Sequence, residues 1–194
     1  MKYFDPVNVA PEFLEKTGIS SLMFLNVSKE PESKPLECLN NVNAYIAKHG
    51  GDVQFGWILT IFGNIGLQLT AHAVVKKKDQ DLVCVTLDNQ RDGKVNFAPD
   101  DGIGSLIKNN FLPVKFISLI DCEVLENYIA LMVKANDVRV NSSCVLINPK
   151  QQLEVIKHEA SLLYPEILAL AKEQTSQEDL CYCGSRVKRK HCCG

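Results

Sequence analysis

The chain has 194 residues, of which 46% are hydrophobic, and its formal net charge is −2. This length and this apolar content are enough to bury a core as one domain of ordinary size. No apolar run approaches the roughly 18 residues that a membrane span needs, and residues 1–6 lack the apolar segment of a secretion signal. We therefore expect a cytoplasmic protein with no membrane span.

The first quarter of the chain carries both helix and strand signals. Residues 11–16 predict a short helix, residues 20–27 a strand and residues 28–35 a loop. Residues 36–49 place apolar side chains on one face at helical spacing, and a Gly-Gly pair follows where a glycine ends a last turn. This pattern predicts a helix with Cys38 in its first turn.

The middle of the chain is predicted to be mostly strand. The strand signals are β-branched and aromatic content and alternation of apolar with polar residues. They cover residues 53–62, 67–76, 82–88, 95–97 and 111–120. If Lys76 pairs with Leu82 across the polar connection, His72 lies opposite Thr86, and Asp88 is its diagonal neighbour on the same face.

Cys38, His72 and Asp88 together predict a catalytic set. A thiolate at a helix start is stabilised by the helix dipole and the free N–H groups. An imidazole can take the proton of such a thiol, and a carboxylate can hold that imidazole in the right tautomer. In the alternative interpretation, Cys38 is a buried core thiol and His72 a hydrogen-bonded core or surface residue.

The order of these residues resembles the transglutaminase-like branch of the papain fold over residues 36–90. In that family a His opens a strand such as residues 72–75, and an Asp closes the next strand, as in residues 85–88. The resemblance implies a cysteine hydrolase or acyl transferase, with Asn89 as an alternative third member. The aromatic residue that often follows the family's cysteine is absent after Cys38.

The last part of the body is predicted to be helical. Residues 121–135 predict a helix with Asp121 as N-cap, and residues 151–172 predict a second helix that Pro165 kinks or restarts. The remaining cysteines of the body are interpreted as core thiols: Cys84, Cys122 and Cys144. We expect an α+β fold, an antiparallel sheet with packed helices, over residues 1–173.

Two close cysteine pairs lie at the C-terminus. They are Cys181 with Cys183, and Cys192 with Cys193, and eight residues separate the inner two. A segment this short buries too little apolar surface to fold alone, whereas four thiolates closing on Zn²⁺ would supply the folding energy. The alternative is a redox pair or disulfides. Thiol ligands fit a reducing cytoplasm.

This pattern resembles the SEC-C motif, the small zinc knuckle at the C-terminus of the SecA translocation ATPase. The shared features are C-x-C-G-S, the eight-residue spacing to C-C and the basic residues between the pairs. The resemblance implies that the same four cysteines are the zinc ligands. His191 lies one place early for the fourth ligand, and Arg186 stands where the family has Gly or Ala.

Residues 174–180 are predicted to be a polar linker and residues 181–194 a mobile zinc knuckle. Four Lys or Arg and no acidic residue lie between Gly184 and His191. This charge predicts that the knuckle recruits the body to an acidic protein partner, with the ribosome or a nucleic acid as further candidates. The alternative function is the cysteine hydrolase or acyl transferase with the set Cys38, His72 and Asp88.

Overall fold

The computed structural model describes residues 11–28, 30–86, 93–141 and 148–194. Over these residues the fold is α+β, as the sequence predicts. The strands are β1 (Met23–Asn26), β2 (Asp52–Phe62), β3 (Gly66–Lys76), β4 (Leu82–Val83), β5 (Lys94–Pro99) and β6 (Val114–Ser118). The α-helices are α1 (Pro11–Thr17), α2 (Cys38–His49), α3 (Glu123–Val140) and α4 (Pro149–Gln174), and 3₁₀ helices cover Asp101–Leu106 and Arg189–His191.

The β2–β3 hairpin is the centre of the sheet. Its two strands pair without interruption from Asp52 opposite Lys76 to Phe62 opposite Gly66. β5 extends β2 and β1 extends β5, so that the strand order is β1-β5-β2-β3-β4. Both β6 and β4 pair with β3, β6 along its first half and β4 at its last two residues. All these pairs are antiparallel, and Lys76 pairs with Leu82 in the register that the sequence predicts.

The two ends of this strand order meet. Cys84, just after β4, forms a bridge with Val27, just after β1. Cys84 N donates to Asn26 O at 3.2 Å, and Ser28 N donates to Cys84 O at 2.8 Å. Five strands therefore close into a ring around one apolar cluster. Its buried members are Leu25, Ile58, Val74, Cys84, Val95 and Phe97.

Helices cover the outside of the ring. Cys38 and Val42 of α2 pack against β3 and the β4 segment. α3 and α4 pack on the turn end of the hairpin, where Phe62 and Ile65 meet Leu125 of α3 and the small residues of α4. None of the helices in the described ranges is long and apolar enough to span a bilayer.

Some predicted elements differ in their limits. α3 begins at Glu123 with Cys122, not Asp121, in the N-cap position. α4 continues through Pro165 as one helix. The regular part of the fourth strand ends at Val83. The apolar run 143–147 with Cys144, and the residues Asp88 and Asn89, lie outside the described residues, and the predicted papain-like core stays a prediction.

Candidate metal centre

Four cysteine sulfurs converge at the C-terminus. The Sγ atoms of Cys181, Cys183, Cys192 and Cys193 all lie within 4.8 Å of one another. The Sγ of Cys192 is 3.4 Å from that of Cys183 and 3.8 Å from that of Cys193. Four sulfurs at about 2.3 Å from one tetrahedral ion are about 3.8 Å apart, whereas a disulfide brings two sulfurs to about 2.05 Å. The cysteines are free thiols, and their spacing fits a shared metal ion.

A tight hairpin brings the two cysteine pairs together. Cys181 N donates to Val187 O at 2.8 Å, and Gly184 N donates to Cys181 O at 3.0 Å. Arg186 has a φ of 61°, a left-handed conformation that favours glycine. The 3₁₀ helix then returns the chain, and Cys192 N donates to Arg189 O at 2.9 Å. The turns between the two cysteine pairs therefore set the ligand geometry. Eight residues are long enough to form these turns and bring the pairs together.

The electrostatics of the cluster favour a bound cation. Burial raises the pKa of Cys183, but hydrogen bonds, chiefly from Ser185 and Cys192, outweigh burial and bring it to about 6. Contacts with the other three sulfurs raise the pKa of Cys193 to about 12. Ser185 Oγ also donates to Cys192 Sγ at 3.1 Å. Four thiolates this close repel one another, and a divalent ion relieves that repulsion while keeping them deprotonated.

The cysteine cluster packs on the body through its apolar residues. Cys181 is fully buried. Leu180 packs against the apolar core around Trp57. Tyr182 packs against the apolar core between the β2–β3 turn, α3 and α4. The fit is close, because a Cβ added at Gly63 would lie only 3.1 Å from Tyr182 Cβ.

Polar contacts hold the same segment at the end of α4. Arg189 Nη1 donates to Lys172 O at 2.7 Å and also to Thr175 O. Asn64 Nδ2, in the β2–β3 turn, donates to Asp179 Oδ2 at 3.1 Å. Thr175, within the predicted linker, is 1% exposed. The predicted mobility of the tail is not supported by these contacts, since residues of both the polar linker and the knuckle contact the body. The division into body, linker and knuckle stays a prediction.

The basic residues of the segment are engaged within the chain. Lys188 Nζ and Lys190 Nζ contact the two carboxylate oxygens of Glu178 at 2.8 and 2.6 Å. Hydrogen bonds from these lysines hold the pKa of Glu178 below its usual range. Arg189 donates to carbonyls at the end of α4, so each of these three cations has a partner within the chain. His191 is not a member of the metal-binding cluster found in the described ranges.

The predicted catalytic residues are placed in different surroundings. Cys38 packs against Ala73 on the outer face of the sheet, and burial raises the pKa of its thiol. His72 Nε2 instead lies 3.2 Å from Cys84 Sγ. Neighbouring residues of a strand point to opposite faces, so His72 faces away from the side where Cys38 lies. The set with Asp88 stays a prediction, and these contacts do not support it.

Two features of the site were not predicted from the sequence. Ser185, the hydroxyl donor to a ligand sulfur, belongs to the C-x-C-G-S pattern, but the pattern alone does not indicate this hydrogen bond. Arg189 has no local pattern that distinguishes it from the neighbouring lysines. Its role depends on the end of α4, which only the tertiary structure brings close.

Comparison with protein family models, curated proteins and solved structures finds no match for this chain. The resemblance to the SEC-C motif therefore rests on residues 181–194 alone, and the transglutaminase-like resemblance rests on residues 36–90 alone.

Proposed function

We propose that this chain is a zinc-binding protein in which one Zn²⁺, held by Cys181, Cys183, Cys192 and Cys193, fixes the C-terminal segment on the α+β body. The observation that carries the proposal is the convergence of four free thiols within 4.8 Å. Zinc accepts four thiolates in a tetrahedron, and a site closed by four protein ligands is the structural rather than the catalytic kind.

The charge balance around the site supports the same assignment. Four thiolates and one Zn²⁺ carry a formal charge of about −2. The segment's own cations lie beside this charge in the sequence, between the two ligand pairs. Positive charge near a thiolate generally stabilises its charged form, so the basic residues are compatible with a metal site and do not by themselves require a binding partner.

Metal analysis tests the proposal. The purified chain, and Cys122→Ser as the control, are expected to contain about one zinc per chain. Cys122 lies outside the cluster at the start of α3, where serine is a favourable N-cap residue. Cys192→Ser is expected to lose most of the zinc. Replacement of zinc by Co²⁺ should give the intense visible bands of a tetrahedral thiolate site.

Full zinc content in Cys192→Ser would refute the ligand assignment. A chain that takes up no metal after reconstitution under reducing conditions would refute the proposal as a whole. An iron–sulfur cluster is the other common use of four thiolates, and its visible absorption in the purified protein would identify it.

Recruitment of an acidic protein, the ribosome or a nucleic acid stays a prediction with a narrower basis. Lys188 and Lys190 already pair with Glu178, and Arg189 contacts α4. A partner would have to compete with these contacts. If the recruitment prediction is right, Lys188→Ala together with Lys190→Ala weakens binding, and binding falls as salt rises. No observation in the described part of the chain favours the enzyme alternative.

A further inference from the structure

We infer that metal binding is coupled to the docking of the C-terminal end of α4 on the β2–β3 turn, and that Arg189 is the residue that couples them. This inference rests on the proposed zinc site. In this coupling the metal stabilises a contact within the body of the protein, and Arg189, which is not a ligand, contributes to metal affinity.

The backbone of Arg189 is part of the ligand segment. Arg189 N donates to Asp179 O at 2.9 Å, just before the first cysteine pair. On the other side, Cys192 N and Gly194 N donate to Arg189 O at 2.9 and 3.1 Å. The backbone of Arg189 is therefore bonded to the chain just before the first cysteine pair and to the chain at the second pair.

The side chain of Arg189 reaches out of that segment to α4. It donates to Lys172 O and Thr175 O, and its guanidinium carbon lies 6.0 Å from the ring centroid of Tyr182. The last carbonyls of a helix have no partner within the helix, and a guanidinium can satisfy two of them with one rigid group. Arg189 therefore holds α4 where Tyr182 packs against it.

The end of α4 also packs closely against the β2–β3 turn. Ala171 is fully buried, and a Cβ added at Gly63 would lie 2.5 Å from Ala171 Cβ. Thr175 Oγ1 donates to Ala171 O at 2.6 Å. A shift of the last turn of α4 therefore changes the packing at the β2–β3 turn.

Loss of the metal should release this contact. Without the ion, the packing of Leu180, Cys181 and Tyr182 must offset the conformational entropy of the whole ligand segment, so the segment loses order. A disordered segment no longer holds the Arg189 side chain on the α4 carbonyls. Coupling between two sites is reciprocal, so weakening the hold of Arg189 on α4 must weaken metal binding by the same factor.

Hydrogen exchange with mass spectrometry tests the coupling. The proteins compared are the zinc-loaded chain, the chelated chain, Arg189→Lys and the control Lys188→Ala. Lys188→Ala removes a cation whose side chain, among the described residues, donates to Glu178 and not to a carbonyl of α4. Arg189→Lys keeps the charge but has a shorter side chain without the planar guanidinium, whose Nη1 makes both carbonyl contacts.

Chelation and Arg189→Lys are each expected to speed exchange in residues 167–175 by about tenfold or more, with the centre of β2 unchanged. Arg189→Lys should also lower zinc affinity by a similar factor in a competition with a chromogenic chelator. Lys188→Ala should leave both measurements within about twofold of the parent chain.

The outcomes separate the two proposals. A chain that binds no zinc overturns both the zinc site and the coupling. A chain that binds zinc, but whose α4 exchanges at the same rate with and without the metal, overturns the coupling alone. Equal effects of Arg189→Lys and Lys188→Ala overturn the role of Arg189. If the chelated chain unfolds, the zinc-loaded Arg189→Lys comparison still decides between these results.

Discussion

Gly63, in the β2–β3 turn, lies in close contact with both α4 and the ligand segment. Its φ is 47°, and an added Cβ would meet Ala171 Cβ at 2.5 Å and Tyr182 Cβ at 3.1 Å. Ala171 has no rotatable side-chain torsion that could relieve the first contact. In Gly63→Ala, therefore, the turn or the end of α4 has to move, and Tyr182, between two ligand cysteines, is displaced with it.

The expected loss of stability has two parts. A Cβ at a left-handed position costs about 1–2 kcal/mol, and overpacking a close contact costs about 1–3 kcal/mol more. Gly63→Ala should therefore lower the free energy of unfolding by about 2–5 kcal/mol. Gly18→Ala is the matched control, since Gly18 has a φ of 72° and nothing within 4 Å of the added Cβ. It should show only the first part.

Urea unfolding of the zinc-loaded variants, followed by the fluorescence of Trp57, the only tryptophan, measures both free energies. Zinc affinity is measured beside it and should fall in Gly63→Ala but not in Gly18→Ala. Equal destabilisation by the two substitutions would refute the close packing of α4 on the turn. Unchanged zinc affinity in Gly63→Ala would refute the contribution of Tyr182 packing to the metal site.

Three further predictions concern other parts of the chain. Cys38 should react slowly with iodoacetamide at neutral pH, because burial raises its pKa and leaves little thiolate; mass spectrometry showing the rate of an exposed cysteine would contradict this. Zinc binding at neutral pH should release protons, because cysteine thiols in a disordered, metal-free segment keep their ordinary pKa of about 8.5 and are mostly protonated, whereas the metal binds thiolates. Zinc affinity should therefore fall as pH falls, and calorimetry in buffers of different ionisation enthalpy that finds no proton release would disprove it. Asp100→Ala removes the acceptor of the 2.8 Å hydrogen bond from Trp57 Nε1 and should lower the free energy of unfolding in urea by about 1–3 kcal/mol. Asp100→Asn keeps an acceptor and should lower it less. An unchanged unfolding midpoint in Asp100→Ala would contradict the role of this hydrogen bond.

Much of the secondary structure could be predicted because its signals are local. The alternation in residues 67–76 and the helical spacing in residues 36–49 predict β3 and α2 closely. The pairing of Lys76 with Leu82 was also predictable, since a short connection leaves few registers that keep the apolar face buried. The four cysteines are a local signal of the same kind, because two close pairs joined by a short loop can meet without help from the rest of the chain.

Contacts between distant segments were not predictable in this way. Alternation and the Lys76–Leu82 register place His72 on one face of β3 and diagonal to Cys84. Only the packing of α2 decides that Cys38 lies on the other face. Each such contact joins chain segments whose approach depends on every element between them.

The sequence by itself determined the four thiols and the hairpin length that lets them share one ion. The tertiary structure alone decided that this hairpin is packed on the body. Its sequence has few apolar residues, and this composition predicted a free tail. Cys181, Tyr182 and Arg189 nevertheless find complementary surfaces at the end of α4 and the β2–β3 turn. Those surfaces form only when the β2–β3 hairpin, α3 and α4 have packed together. The cysteine motif itself carries no signal of the free carbonyls at the end of α4 or of the glycine-sized gap at the β2–β3 turn.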